Sequence, residues 1–285
     1  MSESRAKPTL TMAELAERDV SGDMAVIYDE IRVYSAVPYV SSLQRHVATM
    51  PGALEYAWAI CRPAFVSGQI PETAWRLAAS IPVEPFPPLS EAALRLLGVD
   101  GNGLSAIRNI CRNFVRVAPV NLLFAGVVER LLQGAEPAGV TSVSPGWTPP
   151  VMLAPMPALR DMGEESDDVQ AVLMQLATEL GGKPFVPGLY RLLADWPGYL
   201  AHAATLVEPL LKSDSARAAR VEISQRIVAA ADDILPNLAP RPSHLTAPSV
   251  EQSHAIISAI HTYRVTSPEM VVLGSLLENA LPPAG

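Results

Sequence analysis

The chain has 285 residues, a formal net charge of −8 and 18% charged side chains. That balance excludes a nucleic-acid partner, which would need clustered Lys and Arg. Cys61 and Cys111 are too few for a disulfide framework, so reduced thiols in a cytoplasm are expected.

Residues 1–19 form an expected leader with no apolar signal core, so no export is indicated. A first helical repeat follows over residues 20–134. Ala92, Leu94 and Leu97 recur there at helical spacing. The glycine-rich turn from Gly98 to Gly103 lacks the Lys-Ser/Thr of a phosphate loop. It also lacks the closing Glu of a calcium loop, and reads as a helix-to-helix turn capped by Asn102 or Ser105. The longest apolar run, Val117 to Val128, is broken by Pro119 and Asn121 and is too short to cross a bilayer, so no membrane partner is expected.

Residues 135–163 are rich in Pro, Gly and Ser and read as an ordered linker, with Trp147, Met152 and Leu153 as apolar anchors. The second helical repeat spans residues 164–285. Glu164, Glu165, Asp167 and Asp168 mark a helix start, where acids favour the positive end of the dipole. Helices are expected through Ala171, Met174 and Leu176, and again through Val221, Ile223 and Ile227. Ser267-Pro268-Glu269 signals a further helix start. No alternating strand stands out. The fold class is all-α, a tandem repeat forming an intramolecular pseudo-dimer.

The repeat is visible without a gap. Pro38 to Pro63 lies on Pro184 to Pro209, with ten identical positions that include Pro38/Pro184, Leu43/Leu189, Arg45/Arg191 and Pro51-Gly52/Pro197-Gly198. A second block aligns Ala106 to Leu132 with Ala255 to Leu281, pairing Pro119 with Pro268, Glu129 with Glu278 and Phe114 with Tyr263. The ligand site is expected in the cleft between the copies. Thr49 and Asp195, each two residues before a Pro-Gly pair, are expected helix caps.

Chemical motifs are few. His46, His202, His244, His254 and His261 form no HxH, HxxxH or HExxH pattern, so no metal and no cofactor are expected. His254 and His261 share a helix face, where pocket lining and capping both remain open. Asp232-Asp233 reads as solvated helix surface, and no serine sits in a nucleophile elbow. Arg45 and Arg191, retained in both copies, are expected to bond a carbonyl or acid in their own half; anchoring a carboxylate is the alternative.

The run from Asp19 to Trp58 resembles the opening of the group I 2-haloacid dehalogenases. The similarity continues through Asn113 to Leu123, Leu193 to Leu200 and Tyr263-Arg264. The resemblance implies a helical pseudo-dimer around a central site, its halves joined by a proline-rich loop. It also implies that water, activated by an aspartate seven residues before a Trp-Pro pair, displaces halide. Here that position is Leu189, preceded by Gly188 where the family has serine, and the family's asparagine after an aromatic is Val115 after Phe114. Neither side chain can take or orient a proton. Tyr39 stands at a family tryptophan, Tyr263 matches a family tyrosine and Ser42 replaces a phenylalanine.

An enlarged apolar pocket is therefore expected. Tyr263 and Tyr39 are the candidate catalytic groups, and Ser42, Val115, Gly188, Leu189 and Arg264 the candidate substrate contacts. Three functions remain open: non-hydrolytic cyclisation or isomerisation of a hydrophobic small molecule in specialised metabolism, non-catalytic binding of such a molecule, or dehalogenation through a substitute carboxylate such as Asp195. Homodimer formation also stays open.

Overall fold

The computed structural model describes residues 12–80, 84–137, 139, 146–180 and 182–283. Leader residues 1–11 and linker residues 138 and 140–145 lie outside the described residues. The first six helices are α1 (Gly22–Ser35), α2 (Ser42–Val47), α3 (Ala53–Val66), α4 (Gln69–Ala79), α5 (Glu91–Leu96) and α6 (Gly101–Leu132). After the linker come α7 (Asp167–Gln175), a hairpin of β1 (Thr178–Leu180) and β2 (Lys183–Phe185), then α8 (Gly188–Leu192), α9 (Pro197–Lys212), α10 (Asp214–Ile234) and α11 (Val250–Asn279). The architecture is essentially all-α. The hairpin is the exception to the expected absence of strands. Three residues per strand is too short for alternation to show in the sequence.

The core is organised by α6 and α11, the most extensively packed pair of helices. In α6 the residues from Val117 to Glu129 are all buried, and in α11 Met270 to Gly274 are buried with Leu276 and Leu277. Each fully buried Leu or Ile contributes about 1.5–3 kcal/mol, which gives this seam its weight. Both helices run through an internal proline, Pro119 and Pro268, each 18 positions after the first helical residue. A proline lacks the N–H that would bond the carbonyl four residues back, leaving those of Val115 and Arg264 without a helical donor.

The expected start at Ser267 is therefore a proline inside a helix. The cap of α11 is Ser249, whose hydroxyl accepts from Gln252 N in a capping box. Likewise α6 is capped by Asp100, which accepts from Gly103 N at 2.7 Å. Ser105 Oγ instead donates back to the Gly101 carbonyl. Thr49 and Asp195 are not caps either. Thr49 Oγ1 donates to the His46 carbonyl at 2.7 Å and Asp195 pairs with Arg160. The helices they precede begin after Gly52 and Trp196, one or more residues too far on for those side chains to reach.

Two ion pairs tie α6 to α11 reciprocally. Glu129 Oε1 of α6 meets His261 Nε2 of α11 at 2.7 Å, and Glu278 Oε1 of α11 meets Arg112 Nε of α6 at 2.6 Å. Glu278 lies 149 positions after Glu129, and His261 lies 149 after Arg112.

The linker is held by Trp147, whose indole N–H donates to Glu72 Oε1 at 2.8 Å and whose ring lies 6.5 Å from that of Trp75. Gly68 makes room for it. Its φ is +78°, and a Cβ there would come within 2.5 Å of the Trp147 ring. Gly68→Ala should destabilise the protein by about 2 kcal/mol through left-handed strain and loss of this seat, read by urea unfolding. Trp147 emission should shift red at the same time, as the indole is released to water.

Candidate functional site

A cavity of about 490 Å³ opens between α2, α6, α8 and α11, within the usual range for small-molecule sites. Its wall draws on the loop into α2, the middle of α6, linker residues Pro155 to Leu159, the β2–α8 segment and the middle of α11. The internal prolines sit beside it, so the two helices face the cavity where their ladders are interrupted.

Tyr39, Ser42, Gly188, Tyr263 and Arg264 share this wall. Leu189 and Val115 do not. Leu189 points into the core with 0% exposure, and a Cβ on Gly274 would lie 2.9 Å from Val115 Cγ2, so that side chain is wedged toward α11. Their neighbours face the cavity in their place: a Cβ on Gly188 would stand 3.3 Å from Phe114 Cζ. One position along a helix turns a side chain by about 100°, enough to exchange cavity for core.

About half of the lining falls in pairs at the two offsets of the expected repeat. Tyr39/Phe185, Ser41/Pro187 and Ser42/Gly188, each pair 146 positions apart, all line it. So do Phe114/Tyr263, Val117/Thr266, Ala118/Ser267 and Asn121/Met270, each pair 149 apart. In each pair one member carries a hydroxyl or amide and the other is apolar. A Cβ on Gly188 would pack on Phe114, while their counterparts Ser42 and Tyr263 both bring a hydroxyl to the wall.

The polar end has a definite electrostatic character. Arg45 Nη2 pairs with Glu14 at 2.7 Å and reaches Ser42 Oγ at 3.3 Å. Arg264 pairs with buried Glu129, and Glu17 with Arg32. Glu17 Oε1 also accepts from Val40 N at 3.0 Å. Burial raises the Tyr263 phenol well above its ordinary value, against the opposing pull of Ser42 and Arg45. Burial raises Tyr39 likewise, and its hydroxyl is buried without a partner. Both phenols stay protonated near neutral pH, so they serve as hydrogen-bond donors rather than bases.

Arg45 bonds an acid and Arg191 a carbonyl, the kinds of partner expected of them. Arg45 reaches Glu14, and Arg191 donates to the Arg160 carbonyl. Asp195 lies outside the cavity wall, and Glu17 is the carboxylate among the described lining residues. His254 and His261 border a separate open groove with Glu179. Asp232 pairs with Arg130 on an exposed surface at 2.7 Å. Among the described residues no group of three or more His, Cys, Asp or Glu could hold a metal ion. None of the helices there is long and apolar enough to cross a membrane. The sequence reading missed Phe185, Asn121, Met270 and the Pro155–Leu159 strip, none of which carries a motif.

No family model matches the chain. A configuration-inverting 2-haloacid dehalogenase of Alcaligenes xylosoxydans xylosoxydans is 28% identical over 194 residues, 66% of this chain and 65% of that protein. The match thus spans just under two thirds of that relative's length. An (R)-2-haloacid dehalogenase of Pseudomonas putida is 24% identical over 228 residues, 76% of this chain and 74% of that protein. In fold, the crystal structure of a D-2-haloacid dehalogenase mutant matches with a TM-score of 0.71 at 20% identity, over 97% of this chain and 99% of the other. A D-2-haloacid dehalogenase in complex with L-LA matches with a TM-score of 0.71 at 19% identity, over the same shares. The fold is that of these D-2-haloacid dehalogenase structures, and the sequence is similar at low identity to two curated 2-haloacid dehalogenases.

Proposed function

We propose that this dehalogenase relative is an enzyme of non-hydrolytic chemistry, closing a ring or isomerising a hydrophobic small molecule held in the central cavity. The observation that carries this reading is the Phe114–Gly188 contact. The resemblance expects a water-activating aspartate and its asparagine at Leu189 and Val115, and the neighbours that face the cavity are Gly188 and Phe114. None of these four side chains accepts or orients a proton, so hydrolytic water finds no base there. Glu17 is committed to Arg32 and to the Val40 N–H. Asp195 is committed to Arg160 away from the cavity, which disfavours it as a substitute carboxylate.

An apolar chamber with a few phenol and guanidinium donors can fold a flexible substrate and polarise one carbonyl. Cyclisation or isomerisation conserves the substrate's atoms and consumes no water, in keeping with that lining. The fourteen corresponding lining positions and the reciprocal Glu129–His261 and Glu278–Arg112 pairs support a cavity lying between two related halves.

Halide release from each enantiomer of 2-chloropropanoate tests the reading. Release should be at least about 10²–10⁴-fold below that of an enzyme with its general base in place. Release at enzymatic rates, abolished by Asp195→Asn, would overturn the proposal in favour of hydrolysis.

A further inference from the structure

We propose that the two ends of the cavity have exchanged roles, so that the end built by Tyr39, Ser42 and Tyr263 receives a neutral carbonyl oxygen of the ligand while the Phe114–Gly188 end receives its hydrocarbon body. This rests on the cavity being the ligand site, as in the function proposed above, and adds the orientation and chemical class of what enters.

The exchange is written in the corresponding positions. The resemblance places hydrolytic groups around positions 188–189 and 114–115. The positions corresponding to Gly188 and Phe114 in the other repeat are Ser42 and Tyr263. At positions 114 and 188 the wall is phenyl against glycine, while Ser42 and Tyr263 bring a hydroxyl and a phenol to it. The asymmetry extends beyond that contact, since Tyr39 corresponds to Phe185 and Arg264 to Val115. A ligand filling such a chamber must itself have one polar and one apolar end.

The polar end asks for an acceptor. The Tyr39 hydroxyl, Arg45 Nε and Arg264 Nε are buried on residues of the cavity wall and have no hydrogen-bond acceptor. Buried donors left unpaired cost about 1–3 kcal/mol each, a penalty that an oxygen of the ligand would relieve. It also asks for an uncharged one. Arg45 is balanced by Glu14 and Arg264 by Glu129, and Glu17 is itself balanced by Arg32. A carboxylate entering here would give up water without meeting an unbalanced cation, whereas a ketone or similar carbonyl accepts from the same donors at far lower desolvation cost.

Three probes with one ring system separate the possibilities: 2-acetylnaphthalene, 2-naphthoate and 2-ethylnaphthalene, titrated by calorimetry into the full chain at pH 7.5. The ketone should bind about ten-fold tighter than the hydrocarbon or the carboxylate. Tyr39→Phe and, separately, Tyr263→Phe should abolish the ketone's advantage over the hydrocarbon measured in the same variant. Gly188→Leu, which fills the other end, should weaken all three.

Equal affinity for ketone and hydrocarbon would overturn the carbonyl subsite and leave the apolar chamber standing. Tighter binding of the carboxylate would overturn its neutrality. Failure of all three probes to bind, with the variants folded by circular dichroism, would sink both the subsite and the chamber. If one tyrosine variant fails to fold, the other, with the wild-type ranking of the three probes, decides the matter.

Discussion

Glu129→Ala is expected to lower the unfolding free energy by about 4 kcal/mol, measured by urea denaturation at neutral pH. Glu129 is 4% exposed and receives both Arg264 and His261 from the facing helix. Burial alone would push its carboxyl up, but the hydrogen bonds from Arg264 and His261 outweigh that and hold it below the ordinary value. Removing it strands the largely buried Arg264 beside the cavity. The counterpart pair is an internal control. Arg112 and Glu278 are more exposed, so Glu278→Ala should cost only about 1 kcal/mol. Because the Glu129 carboxyl is depressed, its contribution is present above about pH 4.5 and is lost as pH falls through the lower folded value.

Glu269 should behave with the opposite sign. It is wholly buried on α11, accepting from Tyr190 Oη at 2.7 Å and Thr178 Oγ1 at 3.2 Å, with Arg220 Nη1 at 3.6 Å. Burial raises its carboxyl, and the opposing pull of Tyr190, Arg220 and Thr178 does not cancel that. A group whose folded value is raised favours the fold while protonated. Its contribution is full below about pH 4.5 and is lost as pH rises through the folded value. Glu269→Gln keeps an acceptor for the Tyr190 hydroxyl and removes the titration. It should flatten this part of the pH–stability curve and be neutral or stabilising by about 1 kcal/mol at neutral pH. Glu269→Ala leaves the tyrosine unanswered and should cost about 3 kcal/mol. Equal behaviour of the Gln and Ala variants would contradict this account.

Much of the fold was legible because helical periodicity is written locally. The apolar spacing through Val221, Ile223 and Ile227 marks α10, and the acids at 167 and 168 mark the start of α7. Boundaries at prolines were not. Pro268 looks like a start signal, and only the burial of α11 against α6 over many turns explains why the helix continues through it. Of the candidate residues, Tyr39, Ser42, Gly188, Tyr263 and Arg264 lie on the cavity wall, and Leu189 and Val115 each lie one position from a residue that does. Gly188 was named beside Leu189, whereas Phe114 was passed over for Val115, since the sequence does not say which side of α6 turns toward the linker. The strip from Pro155 to Leu159 has no periodicity, and its place on the cavity wall follows from tertiary packing alone.

The dominance of the α6–α11 seam also sets the order in which the chain can mature. α6 ends at Leu132 and the helix that covers it ends at Asn279. At a synthesis rate of about 5–20 residues per second, the ribosome needs roughly seven to thirty seconds to deliver the missing partner. Through that interval Val120, Leu123 and Val127, fully buried in the finished protein, await much of their cover. A nascent chain of this design presents a long sticky helix before it can hide it. Its yield in a cell should therefore depend on chaperone holding during translation more than the stability of the finished molecule would suggest.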